Sequence, residues 1–192
     1  MWEKIQRIHR SIIKNRLIII TGDLASGKST LADALGAYLK VPVFKKDVIK
    51  EQYCDLYGFI TRDENRRLSV MAVDFMINAF FSFASQQQNI ILEANFREEE
   101  LRQLEQLCIQ FNYEVVLIVL RGDIEILYKR FLERLPNRHR AHTSLNLDES
   151  IERFREYIEM LRKQDTVFLP HIVDTTNKSA EEVFDIAIKL LG

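Results

Sequence analysis

The feature that most constrains the fold is a nine-residue segment from residue 22 to residue 30, Gly-Asp-Leu-Ala-Ser-Gly-Lys-Ser-Thr. It follows an apolar, β-branched run, Leu17–Thr21, and leads into a helix-forming segment. Glycines at positions 22 and 27 let the backbone curl so that its N–H groups point inward, and the helix N-terminus adds partial positive charge there. The segment therefore predicts a phosphate-binding loop (P-loop) and a chain that binds a nucleoside triphosphate.

Two side chains of this loop have predicted chemical roles. Lys28 is expected to reach the β- and γ-phosphates, and the Ser29 hydroxyl is expected to hold Mg²⁺. The backbone of the loop is expected to surround the phosphates. The predicted nucleotide-binding residues of the loop are Gly22, Asp23, Leu24, Ala25, Ser26, Gly27, Lys28, Ser29 and Thr30.

Composition narrows the class of protein. The chain has 192 residues, long enough for one domain with a sizeable core, and a formal net charge of −1. This balance argues against a general binder of nucleic acid or membrane surfaces. No apolar run approaches the roughly 18 residues of a membrane span, and residues 1–16 hold no signal-peptide core. Cys54 and Cys108 are expected to be buried free thiols, and the location to be cytoplasmic.

Strand-like and helix-like segments alternate along the chain. The predicted strands are Leu17–Thr21, Val41–Phe44, Asn89–Glu93, Tyr113–Leu120 and His171–Asp174. The predicted helices are a short one between Trp2 and Ile13, then 28–39, 48–56, a long helix after the capping box at 61–64, 97–111, 124–135, 148–163 and a final helix capped at 179–182. Continuous apolar strands separated by helices predict an α/β fold of three αβα layers, with a five-stranded parallel sheet. We expect one domain over residues 1–192, with a short helical lid at about 130–147.

Polar residues stand where two predicted strands end, which is where such sheets bind ligands. Asp47 follows the second strand, and its carboxylate would accept the proton of an attacking hydroxyl; it would also suit the N-cap of a helix beginning at Val48. Glu93 ends the third strand and predicts a Mg²⁺ ligand, although a solvated strand end is the alternative. Asn95 adds an amide, and Arg97 is either a phosphate contact or an exposed helix start.

The predicted lid is basic. Arginines beside the phosphates neutralise charge on the transferring phosphoryl group, and a closing lid excludes water. The alternative is a solvated helix and loop. The two histidines of the segment are expected to be loop residues, because a metal site would need acid or thiol partners and none is expected nearby. The lid residues in question are Arg130, Arg134, Arg138, His139, Arg140 and His142.

Two further patterns bear on the ligands. Thr175 lies in the loop after the last strand, at the predicted edge of the nucleotide site. The segment that follows, Asn177-Lys178-Ser179-Ala180, lacks the aspartate of the guanine-binding motif N-K-x-D. Adenine is therefore the favoured base. An aromatic stripe in the long helix either lines an apolar acceptor pocket or, as is typical of such stripes, packs in the core. Its members are Phe75, Phe80, Phe81 and Phe83.

Taken together, the motifs resemble those of the small P-loop kinases over about residues 16–192. The chain is similar to the zeta-toxin, chloramphenicol-phosphotransferase and polynucleotide-kinase branch, often labelled AAA-family ATP-binding proteins. The resemblance implies a P-loop NTPase fold, Asp47 as the base, Arg134 on phosphate and Arg130 stacked on adenine. The chain departs from nucleoside-monophosphate kinases, which have D-G-x-P-R where this chain has Glu93-Ala94-Asn95-Phe96-Arg97. It also lacks the four-apolar-then-Asp-Glu pattern of motor ATPases.

These observations favour a phosphotransferase that uses ATP and Mg²⁺ and moves the γ-phosphate to a hydroxyl of a small molecule. Its predicted catalytic residues are Lys28, Asp47, Arg134 and Arg138; Arg130 and Thr175 complete the nucleotide site, and Ser29 and Glu93 hold the metal. The alternatives are a nucleotide-dependent regulatory ATPase, a toxin-type kinase or a polynucleotide kinase. A roomy polar cleft beside Asp47 would favour a kinase, whereas a closed apolar cleft would favour a regulatory switch. A basic groove that leads to Asp47 would favour a polynucleotide kinase. We expect no membrane or nucleic-acid partner.

Overall fold

Five parallel strands form the centre of the molecule in the computed structural model, which describes residues 15–142, 147–164 and 166–192. They are β1 (Arg16–Gly22), β2 (Val43–Lys45), β3 (Ile90–Glu93), β4 (Glu114–Arg121) and β5 (Pro170–Asp174), in the spatial order β2-β3-β1-β4-β5. The helices are α1 (Lys28–Leu39), α2 (Lys46–Tyr57), α3 (Arg62–Ala84), α4 (Glu98–Phe111), α5 (Ile124–Arg134), α6 (Ile151–Arg162) and α7 (Ala180–Leu190), with 3₁₀ turns at Leu135–Asn137 and Arg140–His142. The predicted three-layer α/β fold is confirmed.

The apolar run of β1 is buried on both of its faces. Leu17 and Ile19 pack into a core cluster with α3 and α4, whereas Ile18 and Ile20 pack into a second cluster with α1 and α7. All four side chains are at most 3% exposed. Alternate residues of a strand point to opposite faces of the sheet, so a strand covered by helices on both sides is apolar throughout.

A third, smaller cluster joins α5 to α6 beyond the sheet. Its buried residues are Leu127, Phe131, Leu147, Phe154 and Ile158. These two helices therefore pack mainly on each other, and their polar faces are available to the carboxyl edge of the sheet. Of the predicted lid, residues 143–146 lie outside the described residues.

The long helix α3 differs from what composition led us to expect. By length and composition it is long and apolar enough to cross a membrane, and it is the one such helix in the described ranges. Its buried residues include Ala72, Met76 and Phe80, which pack in the core cluster on the sheet. A core helix passes the same test of length and composition, and the buried face identifies α3 as a core helix of this domain.

The aromatic stripe of α3 does not form an acceptor pocket in the described structure. Phe80 is fully buried against Tyr113, and Phe83 packs on Phe44. Phe75 and Phe81 are nearly half exposed. Packing and surface positions therefore account for the stripe, as expected for apolar residues at helical spacing.

Several predicted bounds shift in the structure. The second strand begins at Val43, rather than at Val41, and α2 begins at Lys46, with Lys45 as its N-cap. Asp47 therefore lies inside the first turn of α2, and its predicted use as the N-cap is wrong. The helix predicted between Trp2 and Ile13 lies outside the described residues.

At the amino edge of the sheet, opposite to the P-loop, hydrogen bonds connect the ends of several segments. The Arg16 backbone N–H donates to Asn89 Oδ1 at 2.7 Å, and the Arg16 guanidinium donates to Glu114 at 3.0 Å. The same guanidinium also donates to the carbonyl of Leu191. These contacts connect β1 to β4 and to the loops beside β3 and α7, so this edge contributes to stability.

Candidate active site

The P-loop adopts a backbone conformation that only a few residue types tolerate. Gly22 and Gly27 have φ values of +125° and +91°, and Ala25 between them has +57°. A Cβ atom built on Gly22 would lie 2.0 Å from the carbonyl oxygen of Leu120, whereas one built on Gly27 would meet nothing within 4 Å. Glycine at position 22 is therefore required by both backbone angle and space, and glycine at position 27 by angle alone.

Lys28 points back over the loop that it follows. Its Nζ donates to the carbonyl oxygens of Gly22 at 3.1 Å and Asp23 at 2.6 Å. Burial lowers the pKa of Lys28, although the carboxylates of Glu93 and Asp47 oppose that shift. The ammonium group thus lies at the centre of the loop, where the fold directs backbone N–H groups toward a phosphate.

Ser29 and Glu93 meet at the end of β3. The Ser29 hydroxyl donates to Glu93 Oε2 at 3.1 Å, although the two residues are 64 positions apart. Glu93 is only 6% exposed, and burial raises the pKa of its carboxyl group, while the nearby Lys28 ammonium opposes the rise. A hydroxyl and a carboxylate are hard oxygen donors of the kind Mg²⁺ prefers, so these two residues fit the predicted metal site.

Asp47 faces the same region from α2, and its carboxylate is 61% exposed. His142 Nδ1 lies 3.9 Å from Asp47 Oδ1, and its Nε2 lies 2.8 Å from Glu51 Oε1. Desolvation alone would raise the pKa of Asp47, but the positive charges of His142, Lys46 and Lys28 hold it below its ordinary value. Asp47 is therefore an ionised, accessible carboxylate at neutral pH.

A cleft of about 600 Å³ connects Asp47 with Lys28 and Glu93. Seven lysines and arginines line it against three carboxylates, counted over the described residues. The cationic residues are Lys28, Lys46, Lys50, Arg62, Arg66, Arg97 and Arg138, and the carboxylates are Asp47, Asp63 and Glu93. The net charge of the chain gave no indication of this local excess, and sequence reasoning missed Arg62 and Arg66 as cleft residues.

On the other side of the loop, a smaller cleft of about 180 Å³ contains Arg130 and Thr175, predicted for the nucleotide site, and Arg134, predicted to bind phosphate. Arg130, Arg134 and Thr175 line it together with Ser26 and Gly27. Arg130 donates to the carbonyl oxygens of Thr175 at 3.3 Å and of Thr176 at 3.1 Å, so its guanidinium is held against the β5 loop. The structure thus separates Arg134, on this side, from Arg138, in the larger cleft; their catalytic roles stay predictions.

Asp23 of the P-loop forms an ion pair that sequence reasoning missed. Its side chain is 1% exposed, accepts a hydrogen bond from the N–H of Gly122 at 3.1 Å, and is contacted by both Nε and Nη2 of Arg162 at 2.5–3.2 Å. Arg162 also donates to the Gly122 carbonyl at 2.6 Å. The last residue of α6 therefore connects the P-loop to the end of β4.

Side chains of α2 and α3 donate hydrogen bonds to the 3₁₀ turn Arg140–His142. The carbonyl of Ala141 accepts hydrogen bonds from Lys50 Nζ at 2.8 Å and Asn65 Nδ2 at 3.1 Å. Burial lowers the pKa of Lys50 to about 8. Arg140 lies over the ring of Phe59 at 5.3 Å and is not among the residues that line the cleft.

The expectation that the lid histidines have no acid or thiol neighbour is wrong. His139 Nε2 lies 3.1 Å from Asp55, and ligand-type atoms of Cys54, Asp55 and His139 all lie within 4.8 Å of one another. Both cysteines are free and buried, as expected. The contacts escaped prediction because 84 residues separate Asp55 from His139.

Three solved structures show what this fold resembles. A candidate kinase from Chloroflexus aurantiacus j-10-fl is 25% identical, with a TM-score of 0.76 over 92% of this chain and 98% of that one. A gluconokinase from Sinorhizobium meliloti 1021 is 14% identical, with a TM-score of 0.61 over 92% and 91%. A shikimate kinase from Aquifex aeolicus vf5 is 19% identical, with a TM-score of 0.55 over 91% and 95%.

The last two likenesses, at such low identity, concern the fold alone, and the fold they share is that of small P-loop kinases. None of the curated proteins matches the chain. A family model described as an AAA domain matches residues 18–160, from β1 into α6. Because that match covers most of the chain, the protein belongs to the AAA domain family.

Proposed function

We propose that this protein is a kinase that transfers the γ-phosphoryl group of ATP to a hydroxyl group of a small molecule, with Mg²⁺. One observation carries the proposal: a single cleft is lined by the P-loop lysine Lys28, the exposed Asp47 and Glu93, and Glu93 accepts a hydrogen bond from Ser29. A regulatory switch needs no roomy polar cleft beside Asp47. The gluconokinase and shikimate kinase folds support the same reading, because their named substrates are small hydroxyl compounds.

In the proposed reaction, Asp47 accepts the proton of the acceptor hydroxyl as its oxygen forms a bond to the γ-phosphorus. The bond between that phosphorus and the β–γ bridging oxygen breaks, and ADP leaves with the electron pair. Lys28 and backbone N–H groups of the loop stabilise charge on the phosphates, and Arg138 on the cleft side does so for the transferring group. Bound Mg²⁺ would neutralise and orient the phosphates, held by Ser29 and Glu93.

Asp47 is suited to the role of base by its charge state. Because neighbouring cations keep its pKa low, it is ionised at neutral pH and ready to accept a proton. We propose ATP over GTP, because the loop after β5 lacks the guanine-reading aspartate. Arg134 and Arg130, beside the smaller cleft, would contact phosphate and adenine.

The test is Asp47→Asn, assayed by acceptor-dependent release of ADP. We expect kcat to fall by about 10²-fold or more, because general-base catalysis contributes at least that much, while ATP affinity changes little. Asp74→Asn is the matched control, since Asp74 is an exposed aspartate on α3 outside the cleft. An Asp47→Asn enzyme with normal kcat would remove Asp47 from the role of base. Absence of stimulated ADP release with any sugar, nucleoside, aminoglycoside or 5′-hydroxyl oligonucleotide would instead favour a regulatory ATPase.

A further inference from the structure

Three arginines from the beginnings of two helices line the cleft. Arg62 and Arg66 lie four residues apart on α3, so they share one face of that helix, and Ser69, which also lines the cleft, lies on the same face. Arg97 is the residue directly before α4. Two segments that are distant in the sequence thus contribute arginines to the lining of the same cleft as Asp47.

Among the residues that the structure describes, these arginines have no carboxylate partner, whereas other arginines do. Arg102 contacts Glu98 at 2.5 Å, and Arg153 contacts Glu149, both one helical turn away on exposed surfaces. In the described ranges 15–142, 147–164 and 166–192, no carboxylate lies within 4 Å of the guanidinium of Arg62, Arg66 or Arg97. Asp63 is adjacent to Arg62 and lies three residues before Arg66, a spacing at which side chains of a helix can pair, yet Asp63 and Arg66 form no ion pair within the described residues.

The positions of Arg62 and Arg97 are also unfavourable for the helices they begin. The N-terminus of a helix carries partial positive charge, so acidic residues stabilise the first turn and cations destabilise it. The chain follows that rule beside them, with Glu64 in α3 and Glu98, Glu99 and Glu100 in α4. Cations at such positions, with no carboxylate partner among the described residues, would be stabilised by an anion bound in the cleft.

We infer that the acceptor carries an anionic group, a phosphate or a carboxylate, in addition to the hydroxyl that is phosphorylated, and that Arg62, Arg66 and Arg97 bind this group. The inference rests on the proposed function and adds the substrate class to it. A cleft of about 600 Å³ holds one small ligand, within the range of small-molecule sites, so we assign a small metabolite rather than the end of a nucleic acid. Asp47 would then contact the hydroxyl of the acceptor, and the arginines its anionic group.

The experiment compares neutral alcohols with anionic compounds of related structure: glucose with gluconate and glucose 6-phosphate, nucleosides with nucleoside monophosphates, and glycerol with glycerate and glycerol phosphate. A 5′-hydroxyl oligonucleotide is added as a separate arm. ADP release is measured for each, and the best acceptor is titrated calorimetrically without nucleotide. We expect stimulation to be confined to the anionic members.

The decisive variants are Arg66→Gln and Arg97→Gln, with Arg67→Gln as the matched control, because Arg67 is an exposed neighbour that does not line the cleft. Each cleft variant should raise the KM and the calorimetric Kd of the anionic acceptor at least tenfold, with the KM of ATP unchanged. The control should stay within twofold. Higher salt should weaken the acceptor in the wild type more than in either cleft variant.

The outcomes separate the two proposals. Stimulation by neutral alcohols, or an anionic acceptor that is insensitive to both variants, overturns the inference and leaves the kinase in place. Stimulation by the oligonucleotide alone overturns the small-molecule assignment. No stimulation in any arm overturns the proposed function, and the inference with it.

Discussion

Two glycines of the P-loop show how the same residue type serves different needs. A side chain at Gly22 would collide with the backbone of β4, which cannot move without disturbing the centre of the sheet. A side chain at Gly27 would meet open space, and only its backbone angle resists substitution. The motif pattern treats the two positions alike, whereas the structure distinguishes them.

We therefore predict unequal effects of alanine at the two positions. Gly27→Ala should lower the free energy of unfolding by about 1–3 kcal/mol, the cost of a left-handed backbone for a residue with a side chain. Gly22→Ala should cost more than about 4 kcal/mol, since a backbone clash adds to the same strain. Urea unfolding followed by circular dichroism measures both. Equal losses would show that the contact with Leu120 is relieved without cost.

At the scale of elements, the ion pair between Arg162 and Asp23 explains the position of helix α6. Near its C-terminal end, Tyr157, Met160 and Leu161 line the large cleft, while its last residue, Arg162, is bonded to the buried carboxylate of the P-loop. The hydrogen bond to Asp23 raises the pKa of Arg162, so the arginine is charged at neutral pH.

Removing Arg162 should destabilise the protein, because it leaves the Asp23 carboxylate buried without its cation. We expect Arg162→Gln to lower the free energy of unfolding by about 3 kcal/mol. Arg155→Gln, at an exposed position of the same helix, should change it by less than about 0.5 kcal/mol. Adding Asp23→Asn to Arg162→Gln should cost less than the sum of the single changes, since the pair interacts directly. Additive effects in this cycle would contradict the coupling.

For the whole molecule, parallel topology explains most of what was predictable. Ser29 and Glu93 are far apart in sequence, yet both follow strands of one parallel sheet and so meet at its carboxyl edge. The strand β1 and its loop were predictable from local pattern alone. The surface to which Arg62 and Arg66 contribute was not predictable, because it depends on how α3 is rotated about its axis on the sheet. His139 and His142 contact residues of α2 that lie more than 80 positions earlier in the sequence, so these contacts depend on the path of the lid.

Nucleotide binding should stabilise the whole chain if the P-loop acts as proposed. At one hundred times its Kd, a non-hydrolysable ATP analogue with Mg²⁺ adds about 2.7 kcal/mol to the folded state. For a chain of this length that is an increase in Tm of roughly 5–10 °C. Differential scanning calorimetry should show most of the increase lost in Lys28→Met and kept in Lys189→Met, an exposed lysine on α7. An unchanged Tm in the wild type would contradict the proposed nucleotide site.

The contacts of Arg16 at the amino edge have a practical consequence. The P-loop, Glu93 and Asp47 all lie at or beyond the carboxyl ends of the strands, whereas Arg16, Asn89 and Glu114 lie at their beginnings. Immobilisation chemistry, fluorescent labels and fused partners are therefore best attached on the amino-edge side, at exposed positions that do not take part in the Arg16 contacts. Turnover measured on a sensor surface would then report the same chemistry as turnover in solution.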